Sequence, residues 1–301
     1  MNLKGQNFRI LYLDNDKFKV IGMATNCQIT LNNNTEEAGH KDIVGMAAVP
    51  TVVSQSWSVQ VDSLNVTDVE TMLTAIKNLT QFTLMWDETS TSDNQTGAGA
   101  SFSRVGKAYL TDATFTFDNR TNSTKSLQFV GIGGIENDTH VYYEAIAVGS
   151  YTKGQFVRLF LSNNNSAAPS KVIAAAKTLS LHVAMQLEDS TTKDTAGGDW
   201  TIQEPVALNF DISTTALVRS GETITSSVAG QGLSELETIF EGAVPVKFKI
   251  ANASGDNNRT AGAVICSGSC LIQSLTLNGA NKANADYTAS LIGYGAYVVG
   301  A

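Results

Sequence analysis

The chain has 301 residues, 43% hydrophobic and only 16% charged, with 25 Gly and 4 Pro. That supports two domains of ordinary size or one large β domain, and it excludes a largely disordered chain. The net charge of −8 leaves neither half basic, so tight binding to nucleic-acid phosphates is excluded as well.

Asn, Thr and Ser take the place of the missing charges, which favours strands over helices. The N-terminus has no signal-peptide core and no apolar run approaches membrane-spanning length, so a start in a cytoplasm and no membrane insertion are expected. Phe8–Leu13 and Lys19-Val20-Ile21 open the chain with two short apolar segments. In Ala24–Asn32, Thr25, Cys27, Ile29 and Leu31 then face one way, and Asn26, Gln28, Thr30 and Asn32 the other. A long polar segment, Asn33–Pro50, follows and is read as a loop. In Ser54–Asp62, Trp57, Val59 and Val61 oppose Ser54, Ser56, Ser58, Gln60 and Asp62. Val69, Met72, Ile76 and Leu79 recur at helical spacing, and that helix runs straight into a strand, Phe82–Trp86. Gly106…Thr114 and Gly131-Ile132-Gly133 mark two further strands.

The second half repeats this order. Val157–Leu161 resembles Phe8–Leu13, Lys171-Val172-Ile173 matches Lys19-Val20-Ile21, and Lys193-Asp194 matches Lys41-Asp42 at the same spacing. Leu179, Leu181, Val183, Met185 and Leu187 oppose Thr178, Ser180, His182, Ala184 and Gln186. A second long loop is read over Glu188–Pro205. Leu208, Phe210 and Ile212 then oppose Ala207, Asn209, Asp211 and Ser213. Leu233, Leu236, Phe240 and Ala243 predict a helix before the strand Val246–Ile250, and Gly268…Thr276 and Gly293-Tyr294-Gly295 close the chain. A whole order of elements met twice is read as two diverged copies of one domain, 1–150 and 151–301, joined near Tyr143–Gly154.

A period of two with one apolar face describes a sheet packed on one side and wet on the other. The wet side of the four clean strands carries short amides and hydroxyls, slight acidity and no Lys or Arg. Such a wall neither grips nor holds a passing polyanion, which suits a conduit for DNA; it also fits a plain solvent face in a Thr/Asn-rich protein. The two long loops carry apolar residues that a free loop would expose, Ile43, Val44 and Met46 in one, Trp200 and Ile202 in the other. Docking on another subunit would cover them.

No nucleophile–base set stands out, so no enzyme activity and no cofactor are expected. His40 and His140 lie in polar segments, and His182 on a wet strand face. Glu36-Glu37 and Glu188-Asp189 recur at matched positions, which favours a shared structural role over one pair of catalytic carboxylates. Cys266 and Cys270 lack a second ligand pair for zinc, and the odd count of three Cys does not indicate a disulfide framework. Gly131–Gly134 is a glycine cluster after a strand without a phosphate-loop helix. Asp14-Asn15-Asp16 and Asp256-Asn257-Asn258 read as Asx turns, with calcium binding a minor alternative.

In these features the chain resembles the major tail tube proteins of long-tailed bacteriophages over nearly its whole length. The resemblance rests on an alternating strand, a Lys-Asp-containing loop, a second strand such as Trp57–Asp62, a single helix, and a closing strand that ends in Gly-x-Gly, each met twice. It implies an all-β fold with one helix per domain: two tandem β-sandwich domains whose inner sheets form a closed barrel when rings assemble. It implies that Asn26, Gln28, Thr30, Asn32, Ser54, Ser56, Ser58, Gln60 and Asp62 line the lumen. In the second domain Thr178, Ser180, His182, Gln186, Asn209 and Asp211 would do the same. The two loops would reach the adjacent ring through Glu36, Glu37, Lys41, Asp42 and Met46, and through Glu188, Asp189, Lys193, Asp194 and Trp200. A doubled chain would form trimers as pseudo-hexamers, stacked in a virion tail that is assembled in the host cytoplasm. Tip, tape-measure and terminator proteins would be its partners, with DNA passing transiently. The alternative is a tandem β-sandwich decoration or carbohydrate-binding adhesion protein, which would need exposed aromatics that the wet strand faces lack.

Overall fold

A computed structural model describes residues 8–22, 24–37, 50–64, 69–88, 103–137, 143–144, 152–192, 200–218, 230–254 and 260–300. The first half contains β1 (Phe8–Asp14), β2 (Lys17–Val20), β3 (Ala24–Glu37), β4 (Pro50–Leu64), α1 (Val69–Lys77), β5 (Gln81–Glu88), β6 (Ser103–Thr116), β7 (Thr124–Asn137) and β8 (Tyr143–Glu144). A 3-10 turn at Gly154–Phe156 leads into the second half. That half contains β9 (Val157–Leu161), β10 (Lys171–Ile173), β11 (Ala176–Asp189), β12 (Gln203–Leu217), β13 (Gly230–Gln231), α2 (Leu233–Gly242), β14 (Val246–Ser254), β15 (Thr260–Asn278), β16 (Asp286–Gly293) and β17 (Val298–Val299).

Strand pairing runs in the same antiparallel order in both halves. It is β2–β1–β5–β6–β7–β4–β3 in the first and β10–β9–β14–β15–β16–β12–β11 in the second. Even the irregularities correspond. One extra residue interrupts the ladder at Thr25 and at Lys177, at Val53 and at Val206, and at Thr111 and at Gln273. A bulge breaks alternation and bends its strand, so three matched bulges give the two halves the same local shape.

Packing follows the same plan. Trp57 lies on Gly106 and Gly131 and meets Trp86 at 5.4 Å between ring centroids. Its counterpart Phe210 lies on Gly293 and meets Phe248 at 5.5 Å and Tyr297 at 5.6 Å. A Cβ on Gly131 would fall inside the Trp57 ring, and one on Gly293 inside the Phe210 ring. Glycine is used there for the close approach of a ring to the backbone. A buried pair, Arg9 Nε to Asp87 Oδ1 at 2.6 Å, ties β1 to β5. One continuous apolar cluster runs from Ile10 to Tyr297 through both halves.

The two helices differ. Helix α1 buries Val69, Met72, Leu73, Ala75 and Ile76. In α2 only Leu236 and Ile239 are buried, and Phe240 is 45% exposed. The helical spacing expected Leu79, Phe240 and Ala243 on the inward faces. Leu79 and Ala243 instead lie past the helix ends in the left-handed region, at φ 54° and φ 47°, where the chain turns into the next strand.

Further expectations are corrected. The loops predicted over Asn33–Pro50 and Glu188–Pro205 are shorter, because β3 continues to Glu37 and β11 to Asp189. Thus Glu36, Glu37, Glu188 and Asp189 sit on paired strands, opposite Thr51, Pro50, Glu204 and Gln203. Polar cross-strand pairs carry the ladder on where apolar alternation has ended: Asn34 donates to Ser54 at 2.7 Å and Gln55 to Asn33 at 2.9 Å. Asp14-Asn15-Asp16 forms a two-residue hairpin turn with φ 50° at Asn15 and φ 60° at Asp16. Gly131–Gly134 lies inside β7 rather than after it. The single chain forms an open sheet; the closed barrel is expected only on ring assembly. The expected boundary at 150/151, the residues Lys41, Asp42, Met46, Lys193 and Asp194, and the turn at 256–258 lie outside the described residues.

Candidate functional site

Strands β6 and β15 belong to two layers each. Residues 103–109 of β6 pair with β5; past the Thr111 bulge, residues 112–116 pair with β11 on that same side. This second pairing joins the halves into one antiparallel sheet of eight strands, ordered β3–β4–β7–β6–β11–β12–β16–β15.

One face of this sheet is mostly polar, with Leu64 opposite Thr124 and the exposed Ile292 opposite Asp211 as apolar positions on it. Following the pairings gives one row of Gln28, Gln60, Gln128, Asp112, Ala184 and Asn209. The next row is Asn26, Asp62, Ser126, Thr114, His182 and Asp211, and beyond it Thr124, Thr116, Ser180, Ser213, Ser290 and Ser274. Among the described residues few cations reach this face: Lys107 is exposed opposite Ile132, in phase with Val130 and Gln128. Lys177, at the β11 bulge, reaches Asp286 at 3.1 Å.

The described residues singled out on the wet strands (Asn26, Gln28, Thr30, Asn32, Ser54, Ser56, Ser58, Gln60, Asp62, Thr178, Ser180, His182, Gln186, Asn209, Asp211) all lie on this one face, exposed or half-buried. The sequence reading missed the contribution of β6, β7, β15 and β16. In β6, Ala108, Tyr109, Leu110 and Thr111 are all buried in a row, because the bulge shifts the alternation by one residue. The clue was present in Thr124-x-Ser126-x-Gln128 and Thr288-x-Ser290, which alternate with buried Lys125 and Leu127 and with Ala289 and Leu291.

The opposite face is buried except along its two edge strands, β3 and β15, where Leu277 is 55% exposed. Trp57, Val59, Val61, Leu179, Leu181, Val183, Phe210 and Ile212 are in the core. On β3, Cys27 and Ile29 are only half-buried and Leu31 is 63% exposed. Burial and the neighbouring negative charge of Asp62 still raise the Cys27 thiol to about 11, so it stays protonated near neutrality.

Acid groups on the polar face are held by partners. Ser126 Oγ donates to Asp62 at 2.6 Å and Asn26 at 3.2 Å, and the serine contact is the main reason its carboxyl lies below the ordinary value. His182 bridges two carboxylates, with Nε2 at 2.7 Å from Asp112 and Nδ1 at 2.8 Å from Asp211. Partial burial pulls its pKa down, but the hydrogen bonds and charges of the two aspartates outweigh that and raise it. The bridge straddles the seam between β6 and β11. Phe117 and Leu179 extend that seam by exchanging both backbone hydrogen bonds, at 2.7 Å and 3.1 Å.

Trp200 lies within the chain. It bridges to Gln55, packs on Gly134, and is followed by Thr201 N donating to Gln55 O at 3.0 Å. Part of the docking expected on another subunit is therefore made on the first half of the same chain. Cys266 and Cys270 are buried in β15, and desolvation raises each thiol to about 12.

No protein-family model matches the chain, and no curated protein matches it. Solved structures do. The tail of an empty gene transfer agent particle with C6 symmetry is 16% identical, with a TM-score of 0.37 over 49% of this chain and 96% of that one. The virion of a native gene transfer agent particle is 16% identical, with a TM-score of 0.35 over 50% and 99%. The SPP1 tail tube is 16% identical, with a TM-score of 0.36 over 49% and 78%. At these scores the likeness assigns no function.

Proposed function

We propose that this chain is a structural subunit of a phage tail tube, built from two copies of one tube domain and assembled into stacked homo-oligomeric rings. The observation that carries this reading is the eight-stranded sheet. Its polar face offers a passing polyanion small neutral groups and hydrogen-bonded carboxylates, with few cations to hold it. Its two outer strands, β3 and β15, keep backbone groups free for pairing, and closure into a ring removes such edges. The residues named above on the polar face then form the lumen of the DNA conduit.

The matched pairing orders and matched bulges support two units per chain, divided near residue 150, and hence a trimer with six quasi-equivalent units. Contacts to the adjacent ring are assigned to Glu36, Glu37, Lys41, Asp42 and Met46 in one segment and to Glu188, Asp189, Lys193 and Asp194 in the other. The role is structural, not catalytic, and its place is the virion tail, among tip, tape-measure and terminator proteins. Negative-stain microscopy of the purified chain, with its mass in solution, tests this directly. Hollow rings or tubes built from trimeric units are expected; solid particles or monomers at every concentration would overturn the reading.

A further inference from the structure

The seam inside the chain specifies the seam between chains. At the β6–β11 junction, Thr116 faces Ser180, Phe115 faces Leu181, Thr114 faces His182, Ala113 faces Val183 and Asp112 faces Ala184. The matched registers and bulges assign each of these residues a counterpart. On β3 they are Gln28, Ile29, Thr30, Leu31 and Asn32; on β15 they are Asn278, Leu277, Thr276, Leu275 and Ser274.

Neither counterpart segment is covered. The side of β15 that would receive such a strand carries no described partner beyond Cys270, and the outer side of β3 carries none. Leu31 is 63% exposed and Leu277 55%, whereas all four apolar residues of the internal seam (Phe115, Leu181, Val183 and Ala113) are buried. Helix α1 shows the same asymmetry. Its Leu73 and Ile76 are buried, with Tyr297 of the second half donating to the Leu73 carbonyl at 2.7 Å, while the α2 counterparts Glu237 and Phe240 are exposed.

We infer that β3 of one copy adds antiparallel to the end of β15 of the next copy, in one register: Gln28 opposite Asn278, Ile29 opposite Leu277, Thr30 opposite Thr276, Leu31 opposite Leu275, and Asn32 opposite Ser274. Phe240 of the copy that supplies β15 covers the apolar side of this seam, as helix α1 lies against β6 and β11 at the internal one. The occupant is a second copy of this chain, because each edge lacks what the other supplies: an apolar row on one side and a polar row on the other, in matching order. The contact is heterologous, with different surfaces meeting, so it closes a ring or extends. It rests on the ring reading and adds to it the edges and the register.

The polar face of the new seam differs from the internal one. His182 corresponds to Thr30, Asp112 to Ser274 and Asp211 to Ser58. The seam between copies is therefore held by neutral groups where the internal seam carries an ion-paired histidine.

Disulfide trapping tests the register. Because Leu179 and Phe117 exchange both backbone hydrogen bonds, Thr30 and Thr276 fall on a non-hydrogen-bonded pair, where side chains are closest. The double variant Thr30→Cys/Thr276→Cys, with Cys27→Ser to remove the half-buried thiol, is oxidised at assembling concentration and run without reductant. Conversion of the monomer band to covalent oligomers that reductant reverses is expected, with no such conversion for Gln28→Cys/Ser274→Cys, which is out of register. Tubes that form without this cross-link, or that cross-link equally in both variants, would overturn the register and leave the ring reading standing. Monomers with no cross-link in either variant, and no rings from the unmodified chain, would overturn both.

Discussion

The seam between β6 and β11 and the free edges of β3 and β15 have nearly the same backbone and opposite surroundings. Leu181 is buried, and its counterpart Ile29 is half-exposed; Ile76 is buried, and its counterpart Phe240 is exposed. If the chain is two copies of one unit, as proposed, each contact has two positions, of which one is satisfied inside the molecule and the other is left for a neighbour. On that reading, the difference between the halves maps what the neighbour would cover.

The largest expected effect separates folding from assembly. Leu181→Asp places a carboxylate in the core and should destabilise the monomer by more than ~3 kcal/mol, read as a large fall in denaturation midpoint. Ile29→Asp, at a half-buried position, should lower the monomer midpoint much less and abolish ring formation. Equal destabilisation by both would break the comparison. Next come the helices. Ile76→Ala should cost about 2–5 kcal/mol in monomer stability, whereas Phe240→Ala should change it by less than ~0.5 kcal/mol and raise the concentration needed for assembly.

The smallest effect is a pH dependence confined to the internal seam. The folded pKa of His182 is raised above its ordinary value of 6.5. Its contribution is therefore fully present below the ordinary pKa and lost as pH rises through the raised one. Thermal midpoints taken across that window should fall for the unmodified chain more than for His182→Thr, while assembly of the two responds to pH alike. A histidine-independent midpoint would show that the bridge to Asp112 and Asp211 contributes nothing.

Much of this was legible in the sequence. Alternation around Trp57, Leu181 and Phe210 placed four strands and their wet face, and the like order of elements in the two halves was legible from Lys19-Val20-Ile21 and Lys171-Val172-Ile173. The other half of the face was hidden by bulges: at Thr111 and Gln273 one extra residue reverses the phase of a period-two pattern. Where strands ended was hidden by Asn34–Ser54 and Asn33–Gln55, polar pairs that extend a ladder without an apolar signal. The seam itself could not be read, since Thr116 and Ser180 meet through pairing across the chain and no local pattern records it. The exposure of Phe240 is another such case, because helical spacing marks an apolar residue without saying whose core it joins.

The most direct measurement is a side-chain-resolution electron microscopy map of the assembled protein. The expected result is a closed barrel in which each chain contributes eight strands, with β3 of one copy antiparallel to β15 of the next and Thr30 facing Thr276. A map in which the copies meet through other surfaces, with β3 and β15 still unpaired, would contradict the account.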